Sequence, residues 1–570
     1  MNNTIQQETK KTLRIWPGVV LVLLQWTLRY LIPEFNQDAI LYGVFGVIVF
    51  GIGIVIWWLF FSRAPIFERW FAIVLIAISL VAASQLLDKS IATANMGLMF
   101  GIYSIPVMCL FFVAWAAITK NRATKVRRIS MIITIIFAAL IWDLLRTNGM
   151  DAEIHHDFAW RWAKTAEEKL LHATSDKLGG KTVDLTTIAN KAEWSGFKGN
   201  NRDAIVHYTK INTNWKENKP VEMWRREIGP GCSSFSVHGT LLFTQEQRGD
   251  FEMVTCYNLF TGEPIWVHQD SARFWDAHAG AGPRSTPTLE NGKVYTMGAT
   301  GILNVLNEKD GSVVWSRNVA NDTHVISPGW GYTGSPLVLD SIVFISVSGQ
   351  ILAYCISSGN KLWSGADGGE SYSSPQLFVS NGSRQILFMN NAGVTSYEPA
   401  SGKILWMLKW PGVRIVQPYI VDENDLLISA EEKIGLKRIS IKNDNSNWTV
   451  EEKWITNKLR PDYNDFVVHK GYIYGFDGMS LTCVDLKDGS RKWKSGKYGG
   501  FILLLAEQDL LLILTEQGDI TLVKAIPEKL EELAKMPVIK GKTWNHPVLV
   551  GNILVVRNAI EMAAFKLTTE

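Results

Sequence analysis

Seven polar, aromatic-rich stretches hold the residues most able to do chemistry: "DSARFWDAHAGAGPRS" (270–285), "NDTHVISPGWGYTGS" (321–335), "GGESYSS" (368–374), "WPGVRIVQ" (410–417), "LRPDYNDF" (459–466), "KYGGF" (497–501) and "KTWNHP" (542–547). Among their residues are Arg284 and Arg414, the indoles of Trp330 and Trp544, and an oxygen-rich trio, Asp462, Asn464 and Asp465, with Asn545 and His546 in the last stretch. A concave mouth lined by aromatic rings with a few converging charges is the usual form of a small-molecule site. Each residue also has a plainer use: "PDYND" is a common turn composition whose side chains bond local backbone, and arginines just before an inner strand can serve carbonyls. The histidines are too scattered for a zinc site, and no Cys-x-x-Cys-His haem motif occurs.

What would bring seven separate loops to one mouth is a repeat. "DGSVVW" (310–315) returns as "SGNKLW" (358–363), "SGKILW" (401–406) and "DGSRKW" (488–493). Aligned tryptophans fall at Trp224, Trp266, Trp315, Trp363, Trp406, Trp454 and Trp493, spaced by 42, 49, 48, 43, 48 and 39 residues. Prolines open a hydrophobic hairpin in most units (Pro287, Pro336, Pro375, Pro418, Pro547). Such a period fits four strands, and a four-stranded sheet buries both faces only by radial stacking, as in a β-propeller. The tryptophan then covers the next sheet, burying about 150–250 Å² at each joint. The final unit supplies only three strands, so "PVEMWRREIG" (220–229) is expected to complete an all-β, eight-bladed ring and remove its open edges.

The first 149 residues read differently. Five apolar stretches, near 13–33, 39–61, 69–87, 96–119 and 130–146, approach the roughly 20 residues needed to cross a bilayer, predicting a five-helix transmembrane anchor. Cations concentrate at Lys10, Lys11 and Arg14, at Arg63 and Arg69, and at Lys120 to Arg128, while the alternate connections are nearly free of them. The positive-inside rule therefore predicts a cytoplasmic N-terminus and a propeller in the periplasm of a bacterium, anchored in the inner membrane. Arg29 and Asp143, each near an outer helix end, are expected to form an ion pair or to bind a quinone head group. Residues 150–219 are expected to form a linker, with "TAEE" (165–168) as a capping box opening a short helix over 166–174, and residues 220–570 the propeller. A formal net charge of +3, with much of the basic excess in the inner loops, gives no support to nucleic-acid binding.

The Gly-x-x-x-Trp repeat with its proline hairpin resembles the PQQ (pyrroloquinoline quinone) type of propeller repeat over about 190–567, and "WSGFKGNNRDA" (194–204) is similar to the opening motif of PQQ-binding-like propellers. With five spans added, the plan is similar to that of membrane-bound quinoprotein glucose dehydrogenases. That resemblance implies an oxidoreductase that takes PQQ and calcium, oxidises a small alcohol or sugar and passes electrons to membrane quinone. In that reading Arg284 and Arg414 hold the cofactor's carboxylates, Trp330 or Trp544 stacks on it with Asn545 nearby, and Asp462 and Asn464 bind the metal. Asp465 or Asp462 is then the catalytic base. The chain lacks the adjacent cysteine pair of many quinoprotein alcohol dehydrogenases and a Gly-Asp-Asn-x-x-Thr/Ser segment. The same propeller also serves a non-catalytic lipoprotein of outer-membrane protein assembly, which implies the alternative of a periplasmic platform for proteins.

Overall fold

The computed structural model describes residues 13–35, 39–150, 156–173, 191–430, 434–445 and 447–569. The chain divides into two compact units, residues 1–163 and 164–570.

The first unit is helical and ends in a hairpin of Leu145–Met150 with His156–Trp160. Three helices, Ile40–Phe61, Ile66–Ser84 and Met99–Thr119, are long and apolar enough to cross a membrane. The first and fifth expected spans differ from these for physical reasons. Helix Trp16–Trp26 gives way to a π-helical turn over Thr27–Leu31, which carries Arg29. The last helix, Thr124–Leu140, is 17 residues long and spends its first turns on Lys125, Arg127 and Arg128. Two of these cations enclose Glu68, which is 1% exposed: Arg127 Nη2 lies at 2.7 Å and Arg128 Nε at 3.0 Å. Breaking such a buried group costs several kcal/mol, roughly 3–5.

The second unit is an eight-bladed β-propeller. Its sheets lie at 236–271, 288–318, 337–364, 376–409, 419–456, 467–495, 501–537 and 548–566, blades one to eight. Blade eight takes its outer strand, Val221–Glu227, from the start of the domain; it pairs antiparallel with Glu561–Lys566, setting Trp224 opposite Ala564. The ring therefore closes as the repeat count requires.

The tryptophans explain the glycines beside them. The Trp266 indole donates to Glu308 O of the next blade at 2.9 Å and lies so close to Gly311 that a Cβ there would be 2.4 Å from the ring. The same clasp joins Trp224 to Gly262, Trp315 to Gly359, Trp363 to Gly402 and Trp454 to Gly489. Each of these glycines turns its blade's last hairpin at φ near +70°, where glycine alone is unstrained. Two joints lack the glycine: Trp493 donates to Ile526 O of blade seven at 3.0 Å, and beside Trp406 blade five turns on Asn445, the indole bonding Gln385 Oε1 of its own blade at 2.8 Å.

The capping box forms, with Thr165 N donating to Glu168 Oε2 and Glu168 N to Thr165 Oγ1, and helix Ala166–Ala173 follows; residue 174 lies outside the described residues. Glu167 on this helix fixes it to blade one through Arg273 at 2.7 Å.

Candidate functional site

Each blade's inner strand is preceded by an equivalent position, followed by the repeat's proline or, in blades one, six and seven, by phenylalanine: Ser234, Thr286, Ser335, Ser374, Gln417, Asp465, Gly500 and His546. Hydroxyls stitch part of this belt together. Thr286 Oγ1 accepts from Ser234 N, Ser335 Oγ from Thr286 N, and Ser374 Oγ from Ser335 N, each at 2.9–3.0 Å.

The axis is filled by the chain itself. Residues 194–211 enter the ring and make at least one contact with each of the eight blades. Trp194 bridges Val237 in blade one, and Ser195 O accepts from Leu289 N in blade two. Arg202, 7% exposed, donates to Ser335 O and Pro336 O of blade three and to Pro375 O of blade four. Gln417 of blade five donates to Arg202 O at 2.6 Å, and Lys198 meets Asp465 of blade six at 3.1 Å. Ile205–Val206 adds a parallel strand to blade seven, and Thr209 donates to Gly551 O of blade eight. Lys198, Arg202 and Ala204 take left-handed backbone (φ +62°, +59° and +61°), a path kept only because the surrounding ring over-determines it. Beside the Lys198–Asp465 pair, His546 is buried between Phe197 and Phe501, at ring distances of 5.9 and 5.3 Å. Burial pushes its imidazole down to about 4, so it is neutral at physiological pH.

Most of the residues singled out in the sequence already have partners. Arg414, 1% exposed, donates to Ser429 O at 2.7 Å and to Trp410 O, and lies 4.7 Å over the Trp410 ring. Arg284 pairs with Asp276, donates to Gly280 O at 2.7 Å and lies over Phe274. Asp276 is held down at about 2: burial opposes its charge, but hydrogen bonds from His278 and the Arg284 charge prevail. The amide of Asn464 donates to Gly500 O at 2.6 Å, and that of Asn545 to Gly231 O and Ser233 O, so both tie loops together. Asp462 sits half-buried beside Tyr463. Among the described residues no three His, Cys, Asp or Glu side chains gather to hold a metal ion.

The two indoles pack against aromatic side chains of neighbouring loops. Trp330 packs against Tyr372 (4.7 Å between rings) and His278 (6.2 Å). Trp544 bonds Glu516 and packs on Tyr463 at 5.4 Å, while Lys542 lies 4.1 Å over its ring and donates to His278 O. An aromatic rim thus crosses the loop face above the filled axis.

A PQQ and calcium site needs free cations for carboxylates and free oxygen ligands for a hard ion. These residues fit it poorly: Arg414 donates to two carbonyls, Arg284 is paired with Asp276, and the Asp465 carboxylate faces the Lys198 ammonium. Lys198 and Arg202 are the residues that reading the sequence missed. Their signal was two cations inside a Gly- and Asn-rich stretch, "GFKGNNRD" (196–203), that the repeat does not require.

The repeats match a PQQ-repeat family profile described as outer membrane protein assembly factor BamB, over residues 212–366 and 250–495. The ring is a PQQ-like repeat propeller. Among curated proteins, the PQQ-like propeller is similar to the outer membrane protein assembly factor BamB of Yersinia pestis, 22% identical over 364 residues, covering 60% of this chain and 79% of that protein. The BamB of Shewanella oneidensis is 33% identical over 108 residues, 18% of this chain and 25% of its own length. Among solved structures, BamB from Moraxella catarrhalis matches with a TM-score of 0.45 at 12% identity, covering 61% of this chain and 100% of that one. A quinohemoprotein alcohol dehydrogenase from Comamonas testosteroni matches with a TM-score of 0.48 at 13% identity, covering 71% and 83%.

Proposed function

We propose that the protein is a membrane-anchored, non-catalytic PQQ-like propeller that docks other proteins on the periplasmic side of the inner membrane. In this reading five helices span the membrane with the N-terminus inside, and the loop face with its aromatic rim is the docking face. The observation that carries the proposal is the Lys198–Asp465 pair, which commits the Asp465 carboxylate to an internal cation. The assembly-factor relatives support the same reading. So does the rim itself, where half-buried Trp330 is followed around the face by an Ile326 side chain that is 86% exposed, since aromatic anchors are typical of interface hot spots.

The alternative, a quinoprotein dehydrogenase, is separated by one experiment. Purified full-length protein is heated with and without PQQ and Ca²⁺, and a photo-crosslinking residue at Trp330 is used to trap periplasmic proteins in cells. The platform predicts no melting shift and discrete protein adducts at Trp330 that are absent when the crosslinker replaces exposed Val379 on blade four. A cofactor held by the native state would instead stabilise it by about 2.7 kcal/mol at a hundredfold excess over Kd. That shift, accompanied by dye reduction with alcohols or aldoses, would overturn the platform.

A further inference from the structure

Among the described residues of the helical unit, Arg29 is a cation with no carboxylate paired to it. Arg29 is 7% exposed, yet among the described residues its guanidinium makes no ion pair and no hydrogen bond, and its Nε is fully buried without an acceptor. The expected partner does not reach it: no ion pair joins Arg29 to Asp143, whose carboxylate oxygens are themselves buried without hydrogen-bond partners. Two rings flank the guanidinium instead, Tyr30 at 5.1 Å and Tyr103 at 5.3 Å from its carbon. Ring faces attract a cation but do not cancel its charge.

The backbone is arranged around this residue. Arg29 lies in the π-helical turn Thr27–Leu31, a departure from α pitch that is frequent at functional sites. On the facing helix stands Gly43, where a Cβ would lie 3.0 Å from Leu28 O and 3.3 Å from Arg29 Cα, so the two backbones meet closely. Arg14 begins the same run at the cation-rich end, and at about 1.5 Å per residue Arg29 is roughly 22 Å further along. In a hydrocarbon core of about 30 Å that places it toward the opposite interface, within reach of head groups by snorkelling.

An arginine in an apolar span is retained where an anion can meet its charge. We infer that Arg29, between Tyr30 and Tyr103, is a receptor for a phosphate-type anion, supplied by the head group of an anionic phospholipid. A phosphate oxygen accepts from the planar guanidinium fork in the bidentate manner that suits arginine better than lysine.

The test uses the full-length protein in maltoside detergent, which carries no phosphate. Phosphatidylglycerol, a phosphate-free galactolipid and inorganic phosphate are added in separate arms, and bound lipid is counted by native mass spectrometry alongside the melting temperature. The expected result is that phosphatidylglycerol raises Tm by several degrees and is retained by wild type, while the galactolipid does neither. Retention should fall at least tenfold in Arg29→Gln and several-fold in Arg29→Lys, which keeps the charge but loses the fork. Inorganic phosphate reproducing the shift in wild type and not in Arg29→Gln would support the same anion chemistry from a soluble source. Equal retention of phosphatidylglycerol by wild type and either variant, or equal retention of the galactolipid by wild type, would overturn the site. If Arg29→Gln does not fold, the comparison of wild type with Arg29→Lys decides.

Discussion

The ammonium of Lys198 lies 3.1 Å from the carboxylate of Asp465, with the two side chains 2% and 6% exposed. One partner comes from the segment threaded along the axis and the other from blade six, so the pair ties the hub to the ring. Removing one member leaves a buried charge alone, at a cost of about 3–5 kcal/mol. Lys198→Met is therefore expected to lower stability by that amount, and Lys198→Met with Asp465→Leu to recover more than half of it. Denaturant unfolding of the full-length protein and both variants checks this; additive losses in the double variant would mean that the pair is not coupled.

His546 gives a pH dependence. Its folded value, about 4, lies below the ordinary 6.5, so between those values the unfolded chain binds a proton that the native ring refuses. Stability is then fully present above about pH 6.5 and falls as the pH drops toward 4, where the loss levels off. At about 1.4 kcal/mol per pH unit this single group accounts for roughly 3 kcal/mol. His546→Gln should flatten the acid limb of a Tm–pH profile relative to wild type, and an unchanged limb would remove His546 from the explanation.

Gly311 and Gly292 have nearly the same backbone, φ +72° and +70°, but different surroundings. A Cβ at Gly292 meets nothing within 4 Å, whereas at Gly311 it would strike the Trp266 ring. Gly292→Ala should cost about 1 kcal/mol, the left-handed penalty alone. Gly311→Ala should cost about 2–4 kcal/mol, because the indole must also leave its seat. Paired melting curves of the two variants check this, and equal losses at the two sites would refute the clasp.

The orientation of the helical unit is checked by reporter fusions. A periplasm-active reporter joined after residue 150 is expected to be active, and one joined after residue 122 inactive, because Lys120 to Arg128 stay inside. The opposite pattern would reverse the proposed sidedness.

The ring was legible because its joints repeat: an indole and a glycine recur at a fixed offset, and the one unit without its own last strand calls for Val221–Glu227. The axial segment was not, since its partners are single backbone atoms and side chains in eight different blades, and nothing periodic marks them. Arg414 illustrates the same limit. Its acceptors, Ser429 O and Trp410 O, are carbonyls that exist on every residue, so its type and position alone suit a bound anion equally well. Arg29 and Asp143 fail to pair for a different reason. Hydropathy places each at a helix end but carries no information about which way either helix is rotated.

Blade eight is made of the first and last strands of the domain, and the hub that bonds every blade is synthesised before any of them. Loop-closure entropy must be met in full before these contacts stabilise anything. As it is synthesised the chain therefore carries Arg202 without partners until residues 335–375 emerge, Lys198 until Asp465 does, and the edge of Val221–Glu227 until Glu561–Lys566 arrives. Folding of this ring is timed by its C-terminus, and a chain that stalls a single strand short stays an open, aggregation-prone ribbon.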